Sequence, residues 1–119
     1  MNKIQIMGYL TKDPILKTAE NGNQFCVFTV AVKRRFTKDN DADFFPCIAF
    51  GKNSGQIARN FGKGRMIGIS GTIKTELINY DNQRRFCFSL LVEEWHIAGD
   101  LRRKVDLNGG YRKEDIEDL

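Results

Sequence analysis

Residues 44–73, FFPCIAFGKNSGQIARNFGKGRMIGISGTI, hold the passage on which the fold turns. Up to Phe50 the run is aromatic and apolar and reads as a strand. Pro46 lacks a backbone donor and is therefore expected at an edge or a bulge. Between 53 and 61 the period of two lapses: Ile57, Ala58 and Phe61 recur at helical spacing, Ser54 stands where an N-cap would, and Gly62 and Gly64 close the segment. From 65 to 78 the strand pattern returns with Ile67, Ile69 and Ile73 on one face. Gly71 shares that face, where a missing side chain marks a bend or a bulge. One short helix is thus held between two strands.

Upstream, residues 3–10 alternate Ile4, Ile6, Gly8 and Leu10 against Gln5, Met7 and Tyr9, the pattern of a half-buried strand. Asp13-Pro14 punctuates it, 15–18 adds a short continuation, and Asn21-Gly22 is a hairpin-turn dipeptide because both residues tolerate positive φ. Residues 24–35 form a long strand with Cys26, Phe28, Val30 and Val32 on one face, and 38–41 form a polar tip. Downstream, a turn at 81–83 leads to a last strand over 85–97. The order is strand, strand, strand, helix, strand, strand. It predicts an all-β protein, a five-stranded oligonucleotide-binding (OB) barrel with one short helix between strands 3 and 4. A chain of 119 residues suits one such domain. The expected division is a barrel over 1–104 and a short, acidic, flexible tail over 105–119, reached through Asn108-Gly109-Gly110.

Charge divides the same way. Residues 1–104 carry 17 basic and 10 acidic side chains, a net +7, whereas 105–119 carry 2 and 5, a net −3. A basic body favours polyanionic partners, since each neutralised phosphate releases condensed counterions. Cys26, Cys47 and Cys87 are odd in number and form no C-x-x-C pair, and no charged leader followed by an apolar run opens the chain. Free thiols in a reducing cytoplasm are expected, with no membrane span.

No catalytic constellation is visible. His96 is the single histidine, and no serine or cysteine stands in an evident relation to it. Gly51-Lys52-Asn53-Ser54 is superficially like a phosphate loop, but Pro46 replaces the earlier glycine and Asn53 intrudes before the serine. Asp39-x-Asp41-x-Asp43 is superficially like a calcium loop, but Phe44 and Phe50 occupy the positions of its glycine and its bidentate glutamate. The expectation is a binding protein, not an enzyme, with no metal and no cofactor.

Holding a single strand without reading its sequence takes flat π faces for the bases and cations for the phosphates. Phe36, directly after Lys33-Arg34-Arg35, either stacks on bases or covers the mouth of the barrel. Phe44 and Phe50, six residues apart, share a face and Phe45 takes the other. The pattern leaves open which face is core, and Lys52 just beyond Phe50 favours Phe44 and Phe50 outside. Tyr80, with Arg84 and Arg85 near the tip of the last hairpin, is a stacking ring or an ordinary turn tyrosine. Trp95, beside Glu93 and Glu94, is assigned to packing or a subunit contact.

The ordered set Asn2-Lys3-Ile4, Gly8-x-Leu10-x-x-Asp13-Pro14, Asn21-Gly22, Asp43-Phe44, Phe50-Gly51-Lys52, Lys63-Gly64 and Ile69-x-Gly71-x-Ile73-x-Thr75 resembles the bacterial and phage single-stranded DNA-binding proteins over residues 1–97. The resemblance implies an OB-fold subunit of a homotetramer that binds single-stranded DNA in replication, recombination and repair. By position it implies base stacking on Phe36, Phe44 and Phe50 and backbone contacts from Lys3, Lys52, Lys63 and Lys74. Three features depart from the family pattern. Phenylalanines stand where tryptophans are frequent, Ile78 falls where a fourth ring is usual with Tyr80 only its neighbour, and the acidic end follows without a long linker, which points to a phage-encoded member. The family's tip recruits replication and recombination proteins. The resemblance extends that role to Asp115, Ile116, Glu117, Asp118 and Leu119, beside the reading of a merely solvating end. The rival class is an OB-fold adaptor for another protein, its basic charge incidental.

Overall fold

The computed structural model describes residues 1–36, 38–39 and 41–99, so the acidic segment 105–119 and its boundary at 104 lie outside the described residues. The elements are β1 (Ile4–Leu10), β2 (Ile15–Thr18), β3 (Gln24–Lys33), β4 (Ala42–Phe50), α1 (Lys52–Asn60), β5 (Met66–Tyr80) and β6 (Gln83–Ile97). β1 pairs with β5, β5 with β6, and β6 with β4 through a short parallel contact at Cys47–Leu90 and Ile48–Leu91. β4 pairs with β3 along its length, and β3 returns to β1 at Tyr9–Ala31 and Leu10–Val30. Five strands therefore close on themselves, with α1 between the third and fourth of them.

The segment 15–18 is not an extension of β1. It is a sixth strand on the flank, paired from Ile15–Val27 to Thr18–Gln24. Asp13-Pro14 breaks the first strand, and Asn21-Gly22, with Gly22 at φ 87°, turns the chain back onto β3.

The alternating residues of the sequence point inward as their period requires. Leu10, Cys26, Val30, Ala49, Ile67 and Leu90 are buried to 2% exposure or less. Ile57 and Phe61 of the helical segment close one end of this core. Gly8 is required where β1 meets β3, because a Cβ there would overlap the Ala31 carbonyl. Pro46 sits opposite Thr29 in an unbroken β3–β4 register, with no bulge. The Thr29 carbonyl accepts instead from Thr11 N–H, so the pair is of the non-hydrogen-bonded kind and the missing donor costs the ladder nothing.

The bulge lies at Ser70/Gly71, where Ser70 faces Glu94 and Gly71 faces Val92, leaving Glu93 as the extra residue of β6. Gly71 is obligatory there, since a Cβ would overlap the Leu91 carbonyl. The extra residue resets the period of two, so that Val92 on one side of it and Trp95 on the other both reach the core. Trp95 packs edge-on against Phe61 at 5.4 Å and donates its indole N–H to Gln56 Oε1 at 3.2 Å.

Two local expectations are corrected. Ser54 is not the helix cap: Gly51, at φ 59° and ψ −130°, begins the helix, and Ser54 is buried in the first turn with its hydroxyl donating to the Gly51 carbonyl. Only glycine holds that backbone comfortably, and the sharp turn starts the helix before Ser54 is reached. The last turn is also tighter than expected. Strand pairing continues to Tyr80–Gln83, leaving a two-residue loop of Asp81 and Asn82, both at positive φ. Those angles give the I′ geometry that matches strand twist.

Candidate nucleic-acid interface

Directly paired residues of antiparallel strands share a face, so the register fixes what lies on the outside of β2, β3 and β4. One row holds Lys17, Phe25 and Phe50, the next Ile15, Val27 and Ile48, then Thr29 and Pro46, and last Tyr9, Ala31 and Phe44. Phe44 and Phe50 are 60% and 49% exposed, whereas Phe45, on the other face, packs against the core. The two exposed rings stand about 20 Å apart along β4. Between them runs an apolar groove floored by Ile15, Val27, Pro46 and Ile48 and rimmed by Lys12 and Ser89. Phe25 lies 6.0 Å from Phe50 and widens that end into a two-ring platform.

The expected cations divide into three groups. Lys33 is on the groove side of β3, opposite Ala42 and diagonal to Phe44, and Lys52 follows Phe50 on the exposed first turn of α1. Lys63 joins them at the rim, because its backbone N–H donates to Asp13 Oδ1 at 2.7 Å and Asp13 lines the groove. Phe36 and Arg35 occupy the exposed turn after β3, where Phe36 is held at φ 62° with its ring fully in solvent. That conformation is uncommon outside glycine.

The second group rides on the part of the β5–β6 hairpin that projects as an arm. Lys74, Ile78, Tyr80 and Arg85 share the face that continues from Ser89 and the groove. Tyr80 is 63% exposed, with the Arg85 guanidinium 5.9 Å from its ring centre. Lys74 is paired with Glu76 at 3.1 Å.

The third group is not brought to these faces. Arg84 stands opposite Asn79 on the back of the arm. The Arg34 side chain is held by Asp43, Nε to Oδ1 at 2.8 Å, on the side of the β3–β4 ladder away from Phe44. Lys3, at the start of β1, belongs instead with the second group, because the register that sets Ile4 opposite Gly71 sets it opposite Thr72, on the Lys74 face at the root of the arm.

Four residues of this surface were not anticipated: Tyr9, Lys12, Lys17 and Phe25. The β2–β3 and β1–β3 registers place Tyr9, Lys17 and Phe25, and Lys12 lies in the loop between β1 and β2 at the rim of the groove. The loop between β2 and β3 is three residues long, 20–22, closed by Ala19 N–H donating to the Asn23 carbonyl at 2.8 Å, so counting outward from Asn21-Gly22 as a two-residue turn would have set Lys17 opposite Cys26 instead of Phe25.

Burial pushes the Cys26 thiol up to about 11 and the Cys47 thiol up to about 12, so both stay protonated at neutral pH. His96 is 63% exposed, with the Glu94 carboxylate 3.8 Å from its Nε2. Among the described residues no group of three or more His, Cys, Asp or Glu could hold a metal ion. None of the described helices is long and apolar enough to cross a membrane.

Residues 1–98 match the model of the single-strand binding protein family. The chain belongs to the single-strand binding protein family. The closed ring with its helix between the third and fourth strands is accordingly an OB fold. The chain is 44% identical over 97 residues to a single-stranded DNA-binding protein of Clostridium perfringens, an alignment covering 80% of this chain and 64% of that one. It is 41% identical to single-stranded DNA-binding protein 3 of Clostridium acetobutylicum, with all of this chain and 93% of the other covered. The chain thus spans somewhat under two thirds of the first relative and nearly all of the second. The family match takes in every candidate ring and cation from Lys3 to Arg85 and stops short of the acidic segment.

Proposed function

We propose that this chain binds single-stranded DNA without sequence preference and protects it during replication, recombination and repair, acting by contact and not by catalysis. The observation that carries the reading is the apolar groove between Phe44 and Phe50, with rings at both ends and Lys12, Lys17, Lys33, Lys52 and Lys63 around it. Bases stack on the rings and lie along the apolar floor, and the cations hold the phosphates. Each ring contributes about 1–3 kcal/mol by alanine substitution in such sites. Phe36 and Tyr80 extend the same surface beyond the groove, with Arg35 and Arg85 beside them, while Arg34, Arg84 and Lys3 play secondary parts.

The protein works in the cytoplasm as a homotetramer. Supporting association, β1 pairs with β3 only at Tyr9 and Leu10 among the described residues, leaving 4–7 with an edge that β3 does not cover, and Met7 is 58% exposed beside it. The back of the arm adds Leu77 and Phe86, 56% and 79% exposed. Asp115, Ile116, Glu117, Asp118 and Leu119 would dock on a basic, apolar site of a replication or recombination protein.

A gel-shift panel with single-stranded DNA, duplex DNA and RNA at two salt concentrations tests the reading. Oligo-dT is expected to bind best and to weaken as salt rises. An OB-fold adaptor for protein would leave all three nucleic acids unbound at low salt.

A further inference from the structure

The arm leaves the ring of strands at one place, and asparagine side chains tie it down there on both edges. In the β1–β5 register Ile4 faces Gly71, so Asn2 stands opposite Ile73. Its side chain makes both hydrogen bonds that a backbone partner would make. Asn2 Nδ2 donates to the Ile73 carbonyl at 2.9 Å, and Asn2 Oδ1 accepts from Ile73 N–H at 3.0 Å. On the other edge, Asn53 Nδ2 of α1 donates at 3.2 Å to the carbonyl of Glu93, the extra residue of the bulge. The bulge itself is pinned by the close approach of Gly71 to the Leu91 carbonyl.

Beyond these ties the arm has no further strand beside it among the described pairings: β1 ends against Gly71, and β4 reaches only Leu90 and Leu91. A lone two-stranded ribbon is marginal in water, and its direction is set by its root.

We propose that Asn2 is a positioning residue for nucleic-acid binding, the pin that aims the arm so that Tyr80 and Arg85 meet the strand leaving the groove. This rests on the single-stranded DNA reading above and adds to it a footprint in two parts, groove and arm, joined at a fixed angle. Without the pin the arm swings, and the order it must regain on binding weakens the complex. Asn2 makes no contact with DNA in this scheme. Its effect passes through Ile73 to the ring and cation at the far end of the hairpin.

The experiment is a double-mutant cycle on the full chain, using Asn2→Ala and Tyr80→Ala with Arg85→Ala, read with oligo-dT of about 8 nucleotides, which the groove alone holds, and of about 30. Asn2→Ala is expected to weaken the longer oligonucleotide by about 3- to 10-fold, the scale of one or two net hydrogen bonds, and to leave the shorter within about twofold. In the background lacking Tyr80 and Arg85 it should change neither. Amide exchange at Ile73 should quicken in the free variant, and Asn2→Asp, which keeps the acceptor but not the donor, should fall between. Additive losses, or equal losses at both lengths, would overturn the proposal while leaving the DNA-binding reading intact. Failure of the unmodified protein to bind the longer oligonucleotide at low salt would overturn both.

Discussion

Phe50 is half exposed on β4 while Ala49 beside it is fully buried, and Phe44 and Phe45 repeat the contrast six residues earlier. Alternation along one strand therefore separates rings that build the core from rings that are free to bind. Phe44→Ala and Phe50→Ala are each expected to cost about 1–3 kcal/mol of oligo-dT binding with little change in Tm. Ile57→Ala, at full burial, should cost about 2–5 kcal/mol of stability and leave the folded protein's affinity unchanged. Titration and thermal melts on the same samples separate the two kinds of loss.

The buried thiols set an alkaline limit. Their folded pKa values lie above the ordinary 9.0, so the stability they confer is complete below about 9 and is lost as pH rises through about 11 and 12. Each contributes a slope of at most about 1.4 kcal/mol per pH unit, and a Cys26→Ala/Cys47→Ala variant should show a flatter decline above pH 9 in denaturant titrations. At this scale much was legible. The two faces of β4 follow from spacing and from Lys52. Arg34 was grouped with its neighbours because proximity in sequence hides the Asp43 carboxylate that holds its side chain on the other face.

Among the elements, the β5–β6 hairpin departs most from the ring, and its turn decides its length. Asp81 and Asn82 take φ of 50° and 62°, conformations that Asn and Asp accept and β-branched residues do not. Asn82→Val should therefore loosen the arm by about 1–2 kcal/mol, quickening amide exchange over 76–87 while the protection of β3 persists. The strand order and the single helix could be read from periodicity. The bulge was legible on β5, where Gly71 marks it, but its extra residue on β6 was not, because two successive glutamates carry no sign of which one is skipped. The separate strand β2 was also obscured: four exposed residues have no buried face from which to read a period. With β2 unplaced, Lys12 and Lys17 had no surface to belong to.

For the whole molecule, cations among the described residues gather around one groove and one arm. Light scattering is expected to give four copies per particle, with Met7→Lys lowering that number if the neighbourhood of β1 carries the contact. The central claim is that exposed rings along the groove grip unpaired bases while separate cations grip phosphates. The most direct test is a salt series of oligo-dT titrations on the unmodified protein and on Phe44→Ala/Phe50→Ala. Two rings at about 1–3 kcal/mol each place the variant at least about 30-fold weaker at every salt concentration, and the slope of log K against log salt stays the same because no phosphate contact has been removed. A variant that binds as tightly as its parent, or a parent that fails to bind at low salt, would contradict the account.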